Sequence, residues 1–407
     1  MEQQNVTPIY FVSLGCDKNL VDSEMMITSL REQGFRLVNE ETEAEVIVVN
    51  TCCFIGDAKE ESINTLLEMA SYKETAKCKL LVAAGCLAQR YHKEIQTEIP
   101  EVDIIVGTMG YENLAETIRG ELKEHQGVVE TLQNIDYLPT PLTNRDSMSG
   151  GYYAYLKIAE GCDKCCTYCV IPKVRGHYRS VPMENLLAQA EHLVQNGAKE
   201  LILVAQETTL YGVDLYGHKS LPELLEKLSE LEELKWIRIL YCYPEEITTL
   251  PKVCHYLDIP IQHGSDGILK RMGRRTNSKE LRDMVHYLRQ EIPDIALRTT
   301  LITGFPGESE QDFEQLKEFV EELRFDRLGV FTYSREEDTP AAAMEEQVPE
   351  EVAEKRRDEI MQIQQKIAFE KTSAQIGRAL EVMVEGALPE DGVYITRTYM
   401  DAPEVDG

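Results

Sequence analysis

Three short apolar runs, "IYFVSLGC", "EVIVVNTC" and "KLLVAAGC", limit what the first third of this 407-residue chain can become. Each is nearly continuous in β-rich apolar residues, the composition of a strand buried on both faces of a parallel sheet. "DIIVG" reads as a fourth. Between them, "NLVDSEMMITSLREQG" and "AKEESINTLLEMAS" space their apolar residues as helices do. Strands alternating with helices predict an open parallel α/β sheet over about residues 1–135. The three runs also end in Cys16, Cys52 and Cys86. Carboxyl ends of parallel strands share one edge, where ligands bind, so thiols distant in sequence are predicted to converge there. One buried cysteine is an ordinary small core residue. Three at the same structural position, two of them after glycine, point to a shared metal or cluster site. Cys53 should turn elsewhere as a bystander, and Cys78 reads as structural.

Composition narrows the class. Hydrophobic residues make up 43% and charged residues 28%, as in globular domains with real cores, and the length suits two or three of them. No apolar run approaches the roughly 20 residues needed to span a bilayer. The start "MEQQNVTP" lacks a basic and then apolar leader pattern, so a cytoplasmic protein is expected, without a membrane role. Eleven cysteines in that setting favour metal or redox chemistry over disulfides. The net charge of −29 makes direct nucleic-acid binding an unfavourable expectation and suits a basic partner, though an acidic surface also serves plain solubility.

A polar stretch, "DYLPTPLTNRDSMSGG", reads as an interdomain linker at residues 136–150. Beyond it, over 151–375, strand candidates "YYAYLKIAEG", "ELILVAQET", "WIRILYCYP", "DIPIQH", "ALRTTLITGF" and "RLGVFTYS" alternate with helical stretches. Six such units predict a partial, TIM-like (β/α)6 barrel with its active site at the strands' carboxyl ends. Directly after the first strand, "GCDKCCTYCVIP" places four thiols in eight residues. Either Cys162, Cys165 and Cys169 or Cys162, Cys166 and Cys169 could act together. Zinc would want a fourth ligand, and His177 stands alone nearby. The C-x3-C-x2-C choice without a fourth thiol suggests an iron–sulfur cluster with one iron open to a ligand.

That spacing, with Tyr168 before the last cysteine, resembles the radical S-adenosylmethionine (SAM) superfamily. "YLKIAEGCDKCCTYCVIPKVRGHYRS", "SLGCDKNLVDSE", "NTCCFIGDAKEESI", "AAGCLAQRY", "RTTLITGFPGESE" and "GVFTYSREEDTPAA" together resemble its methylthiotransferase family over nearly the whole chain. The likeness is greatest to the branch acting on a ribosomal-protein aspartate. The resemblance implies that Cys162, Cys166 and Cys169 hold the radical-SAM [4Fe–4S] cluster, with Cys165 an extra. It implies that Cys16, Cys52 and Cys86 hold a second, auxiliary [4Fe–4S] cluster. The implied chemistry is hydrogen abstraction from an unactivated carbon, sulfur insertion and methylation by a second SAM. A low-potential electron donor is implied as partner, alongside ribosomal protein S12 or the small ribosomal subunit. Candidate SAM contacts are Tyr168, Gln206 and Glu207 after the second barrel strand, Arg298 for the SAM carboxylate, and Gly304 and Gly307 for close backbone approach. No catalytic side chain is assigned. Cys242 and Cys254 read as core, and His255 and His263 as hydrogen-bonded residues near strand ends.

After a helix punctuated by Pro349 and Gly377, residues 376–407 resemble the opening of a TRAM β-barrel. The chain stops at Gly407, short of the whole barrel, which predicts unpaired strand edges and a disordered tail. From Ile376 onward the tail holds Glu381, Glu385, Glu390, Asp391, Asp401, Glu404 and Asp406 against Arg378 and Arg397. That sign suits a basic ribosomal protein better than RNA. Two other functions fit the same residues less well: methylthiolation of a transfer-RNA adenosine, and a non-catalytic iron–sulfur or zinc protein.

Overall fold

The computed structural model describes residues 6–124, 127–242, 250–389 and 392–406. Its contacts divide the chain into two units: 1–163 with 170–197, and 164–169 with 198–407. By their contacts, residues 151–163 and 170–197 group with the first unit.

In the first unit, the apolar runs form Pro8–Ser13 (β1), Val46–Thr51 (β3), Leu80–Ala84 (β4) and Ile104–Val106 (β5). Two short strands without a clear apolar signal, Arg36–Leu37 (β2) and Val129–Thr131 (β6), complete the sheet. The order is β2-β1-β3-β4-β5-β6, every neighbour parallel. β3 and β4 are buried at every residue, as continuous apolar runs require. Helices Asp17–Glu32 and Gly56–Thr75 lie where the apolar spacing predicts them. The chain also contributes Tyr153–Lys157 (β7) and an antiparallel pair, Ala159–Glu160 (β8) with Arg179–Ser180 (β9). The stretch read as a linker is docked onto this unit. Arg145, fully buried, pairs with Glu24 and donates to Tyr155 O, while the Met148 and Asp146 amides bond Glu24 and Thr28. Its polar composition suggests a free linker, yet several of its polar groups bond the helix Asp17–Glu32, and others bond Glu112 and the His177 amide.

The second unit carries Glu200–Val204 (β10), Trp236–Ile239 (β11), Val253–Gln262 (β12), Ala296–Thr303 (β13) and Arg327–Thr332 (β14). They run side by side in that order, all parallel. Tyr243 and Pro244, at the end of one strand candidate, lie outside the described residues. Helices Ser278–Glu291 and Glu310–Leu323 begin at capping boxes on Asn277 and Ser309, and their apolar faces fill the core with β12 and β13. A 24-residue helix, Glu350–Ser373, packs on the same core through Ile360 and Ile367. Cys242 and Cys254 are buried, with thiols pushed up to about 11 and about 12 chiefly by that burial, as core residues should be. His255 bonds Asp294, and buried His263 accepts from the Ser265 amide.

The described residues of the tail include a strand pair, in place of the disorder expected there. Val382–Leu388 (β15) and Val393–Thr398 (β16) pair as an antiparallel hairpin, and charged groups pin the hairpin and the segment after it to the amino ends of the parallel strands. Arg238 and Arg397 share Glu200, Arg397 also binds Glu385, Arg327 pairs with Asp401, and Arg298 pairs with Asp406. Three of the tail's acids are thus matched by arginines of its own unit. Glu390 and Asp391 lie outside the described residues.

Candidate functional site

Cys16, Cys52 and Cys86 follow β1, β3 and β4, which are adjacent in the sheet. The order reverses between β1 and β3, the place where open α/β sheets bind ligands. Glycine makes the approach possible. Gly15 has φ +89°, and a Cβ there would lie 2.7 Å from Cys52 Cβ. Gly85, also at φ +89°, would clash with Asn50 and the Thr51 carbonyl. Cys86 itself sits in the first turn of helix Gly85–Arg90 rather than at the strand end.

A buried polar frame holds these loops. Asn19 donates to Leu14 O and Thr51 O, both at 2.9 Å, and Asn50 donates to Asn19 O and Ser23 Oγ. Ser62 accepts from the Cys52 amide and donates to its carbonyl. Burial raises the Cys52 and Cys86 thiols, Cys86 well above the ordinary value, while the Arg175 guanidinium works in the opposite direction on both. Cys53 is buried in a core cluster with Leu66, Met69 and Cys86, and burial takes the Cys78 thiol to about 11.

Arg175 lies three residues beyond the thiol-rich motif, at a position to which spacing assigns no role. It comes from helix Ile171–Arg175, with 2% of its side chain exposed. Nη1 bonds Asp22 at 2.7 Å and Glu160 at 3.0 Å, and Nη2 bonds Asn19 and reaches Cys86 Sγ at 3.4 Å. Lys157 joins the same two carboxylates. Position on a short amphipathic segment carries no signal of such a role; only the folded contacts reveal it.

Cys162 belongs to the first unit, its amide bonded to Gly176 O at 3.1 Å. Cys166 and Cys169 belong to the second, joined by a turn bond from the Cys169 amide to Cys166 O. Within that unit the loop is fastened on several sides. Lys164 pairs with Glu207, Thr167 exchanges bonds with Met272 O, Arg271 O and the Ala341 amide, and Tyr168 packs edge-on to Phe305. Arg274 Nη1 lies 3.7 Å from Cys166 Sγ, a cation without a sequence signal because it arrives from another loop. Cys165 is exposed and sits at φ +51°.

Gln206 and Glu207 follow β10, and Gly304 follows β13, all at the carboxyl edge of the parallel strands. Gly304 also serves packing, since a Cβ would fall 2.3 Å from Ala353 Cβ; Gly307 likewise abuts the Arg271 guanidinium. Arg298 is not at this edge. It lies in the amino half of β13, six residues before Gly304, roughly 20 Å along a strand. It is already bonded to buried Asp258 at 2.8 Å and to Asp406. The residue expected to hold the SAM carboxylate thus joins the ion pairs that fasten the tail.

Among the described residues, no three Cys, His, Asp or Glu side chains close on a point as a single ion would require. A cluster binds each thiolate through a different iron, so its ligands stand farther apart, and soft thiolates are the donors it selects. The Gly15–Cys52 approach, with Arg175 at Cys86, fits such a group.

Cys165→Ser is expected to leave the iron content unchanged, whereas Cys166→Ser should lose about half of it. Iron and sulfide analysis after anaerobic reconstitution checks this; the reverse pattern would exchange the two cysteines' roles.

Three family models match the chain. Residues 8–107 match the uncharacterized protein family UPF0004, residues 156–320 the radical SAM superfamily, and residues 376–407 the TRAM domain. The ribosomal protein uS12 methylthiotransferase RimO of Lachnoclostridium phytofermentans is 61% identical, over 98% of this chain and 92% of its own. That of Clostridioides difficile is 49% identical over 97% and 90%. Among solved structures, the radical SAM methyltransferase TsrM from Kitasatospora setae superposes with a TM-score of 0.58 at 14% identity, over 83% of this chain and 74% of its own. The cobalamin-dependent radical enzyme OxsB gives 0.55 over 97% and 64%. At these identities the two structures speak for the fold alone.

Proposed function

Because the chain belongs to the ribosomal protein uS12 methylthiotransferase family of radical SAM enzymes, we propose that it adds a methylthio group to the β-carbon of an aspartate in uS12. It uses SAM and two [4Fe–4S] clusters. The carrying observation is the convergence of Cys16, Cys52 and Cys86 at adjacent strand ends, a second set of thiols that radical generation alone would not need. When bound, the clusters and SAM supply hydrogen abstraction from an unactivated carbon and the sulfur and methyl groups that replace the hydrogen.

The chain's own residues hold and orient these groups. Cys162, Cys166 and Cys169 take the radical-SAM cluster. Lys164–Glu207, Thr167 and Tyr168 fix the shape of the loop, and Arg274 offsets thiolate charge at Cys166. Gln206, Glu207 and Gly304 are the candidate SAM contacts at the carboxyl edge, with Glu207 paired to Lys164, whereas Arg298 lies in the amino half of β13. A low-potential donor supplies electrons. No helix among the described residues is long and apolar enough to cross a membrane.

The charge of −29 supports a basic protein substrate over transfer RNA. With Glu385, Asp401 and Asp406 matched internally, attraction to uS12 must come from the wider acidic surface as well as the tail. Mass spectrometry of ribosomal proteins from cells with and without the gene tests the reading. Methylthiolated uS12 should appear only with the gene, and its binding should weaken as salt rises. Unmodified uS12 beside gene-dependent methylthiolation of transfer RNA would overturn it.

A further inference from the structure

We propose that Arg175 is a positioning residue that raises the reduction potential of the cluster held by Cys16, Cys52 and Cys86, through its hydrogen bond to Cys86 Sγ. The inference rests on the assignment of those cysteines as ligands. Cluster potentials respond to net charge and to hydrogen bonds at the ligating sulfurs, and partners outside the ligand set tune the metal they surround. Reduction adds negative charge, so a cationic N–H donor at a ligand sulfur favours the reduced form. Arg175 is such a donor, and its aim does not depend on the cluster. Asp22 and Glu160 hold Nη1, and Asn19 holds Nη2, so the fork is oriented by three groups that are not ligands. Lys157 balances the second carboxylate, leaving a buried tetrad of two cations and two anions. Asn19 ties the same guanidinium to the loops after β1 and β3, which carry Cys16 and Cys52. One side chain thus connects the geometry of all three ligands to the charge at one of them.

The test is an anaerobic potentiometric titration of the reconstituted full chain, followed by electron paramagnetic resonance. The auxiliary signal is identified as the one lost in Cys86→Ala. In Arg175→Gln its midpoint should move negative by about 59 mV, a tenfold change in the oxidised-to-reduced ratio for one electron. The other signal should stay where it is. An auxiliary midpoint equal to wild type in the loaded variant overturns the inference, even if thermal stability has fallen. If Arg175→Gln does not take up the cluster, Arg175→Lys is titrated instead. It keeps the charge beside Asp22 and Glu160 but lacks the second arm to Cys86. A smaller shift of the same sign supports the inference, and a wild-type midpoint overturns it. A wild-type chain with only one signal would overturn the ligand assignment itself, and this inference with it.

Discussion

Cys86→Ala is expected to go on cleaving SAM to 5′-deoxyadenosine while forming no methylthiolated uS12. The two activities separate because the thiols fall into two sets on different parts of the chain. Cys86 is tied to Arg175, whereas the loop that carries Cys162, Cys166 and Cys169 is fastened by Gly176 O, Glu207, Met272 O and Arg271 O, none of them a partner of Cys86. Removing one small buried thiol should cost the fold about 1 kcal/mol. Iron should drop from about eight to about four atoms per chain, with the melting temperature little changed. Loss of SAM cleavage in a folded Cys86→Ala protein would mean that the sets do not act separately.

Glu200→Ala is expected to be the most damaging single change outside the cysteines. Glu200 opens β10, is fully buried, and accepts from Arg238 Nε at 2.7 Å and from Arg397 Nη2. Arg238 is itself fully buried, stacked 4.5 Å over Tyr256, and donates to Tyr399 O. Without the carboxylate, two guanidinium groups lose their shared counter-charge in the protein interior. Breaking a buried pair by removing one partner costs about 3–5 kcal/mol, a large part of a typical folding free energy. The urea midpoint should fall accordingly, and proteolysis should release the segment after Gly377, since Arg397 and Tyr399 anchor it here. A change under about 1 kcal/mol, with the tail still protected, would show that the hairpin is held by other contacts. The exposed pair Lys279–Asp283 offers a control, and its removal should leave the midpoint in place.

The apolar runs ending in Cys16, Cys52 and Cys86 are readable as parallel strands because burial on both faces leaves a local signature. The glycines before two of those cysteines are readable as punctuation, and the fold shows their purpose as room for a neighbouring loop. β2 and β6 leave no such signature, because two or three residues at a sheet's edge need no apolar run. The docked stretch around Arg145 reads as a linker because composition registers polarity, not whether a partner such as Glu24 waits elsewhere.

By itself the sequence determined the strand–helix alternation, the set of cysteines at one sheet edge and the crowded thiol loop, all consequences of spacing along the chain. Only the tertiary structure decided where the buried charges go. Arg175 meets Asp22 across 153 positions and Cys86 across 89, and Arg298 meets Asp406 across 108. A charge that leaves water must find an opposite charge or a fixed dipole. Which of many candidates it finds depends on the packing of whole elements, so Arg298 became an anchor for the tail while Arg175 came to stand against a ligand thiol.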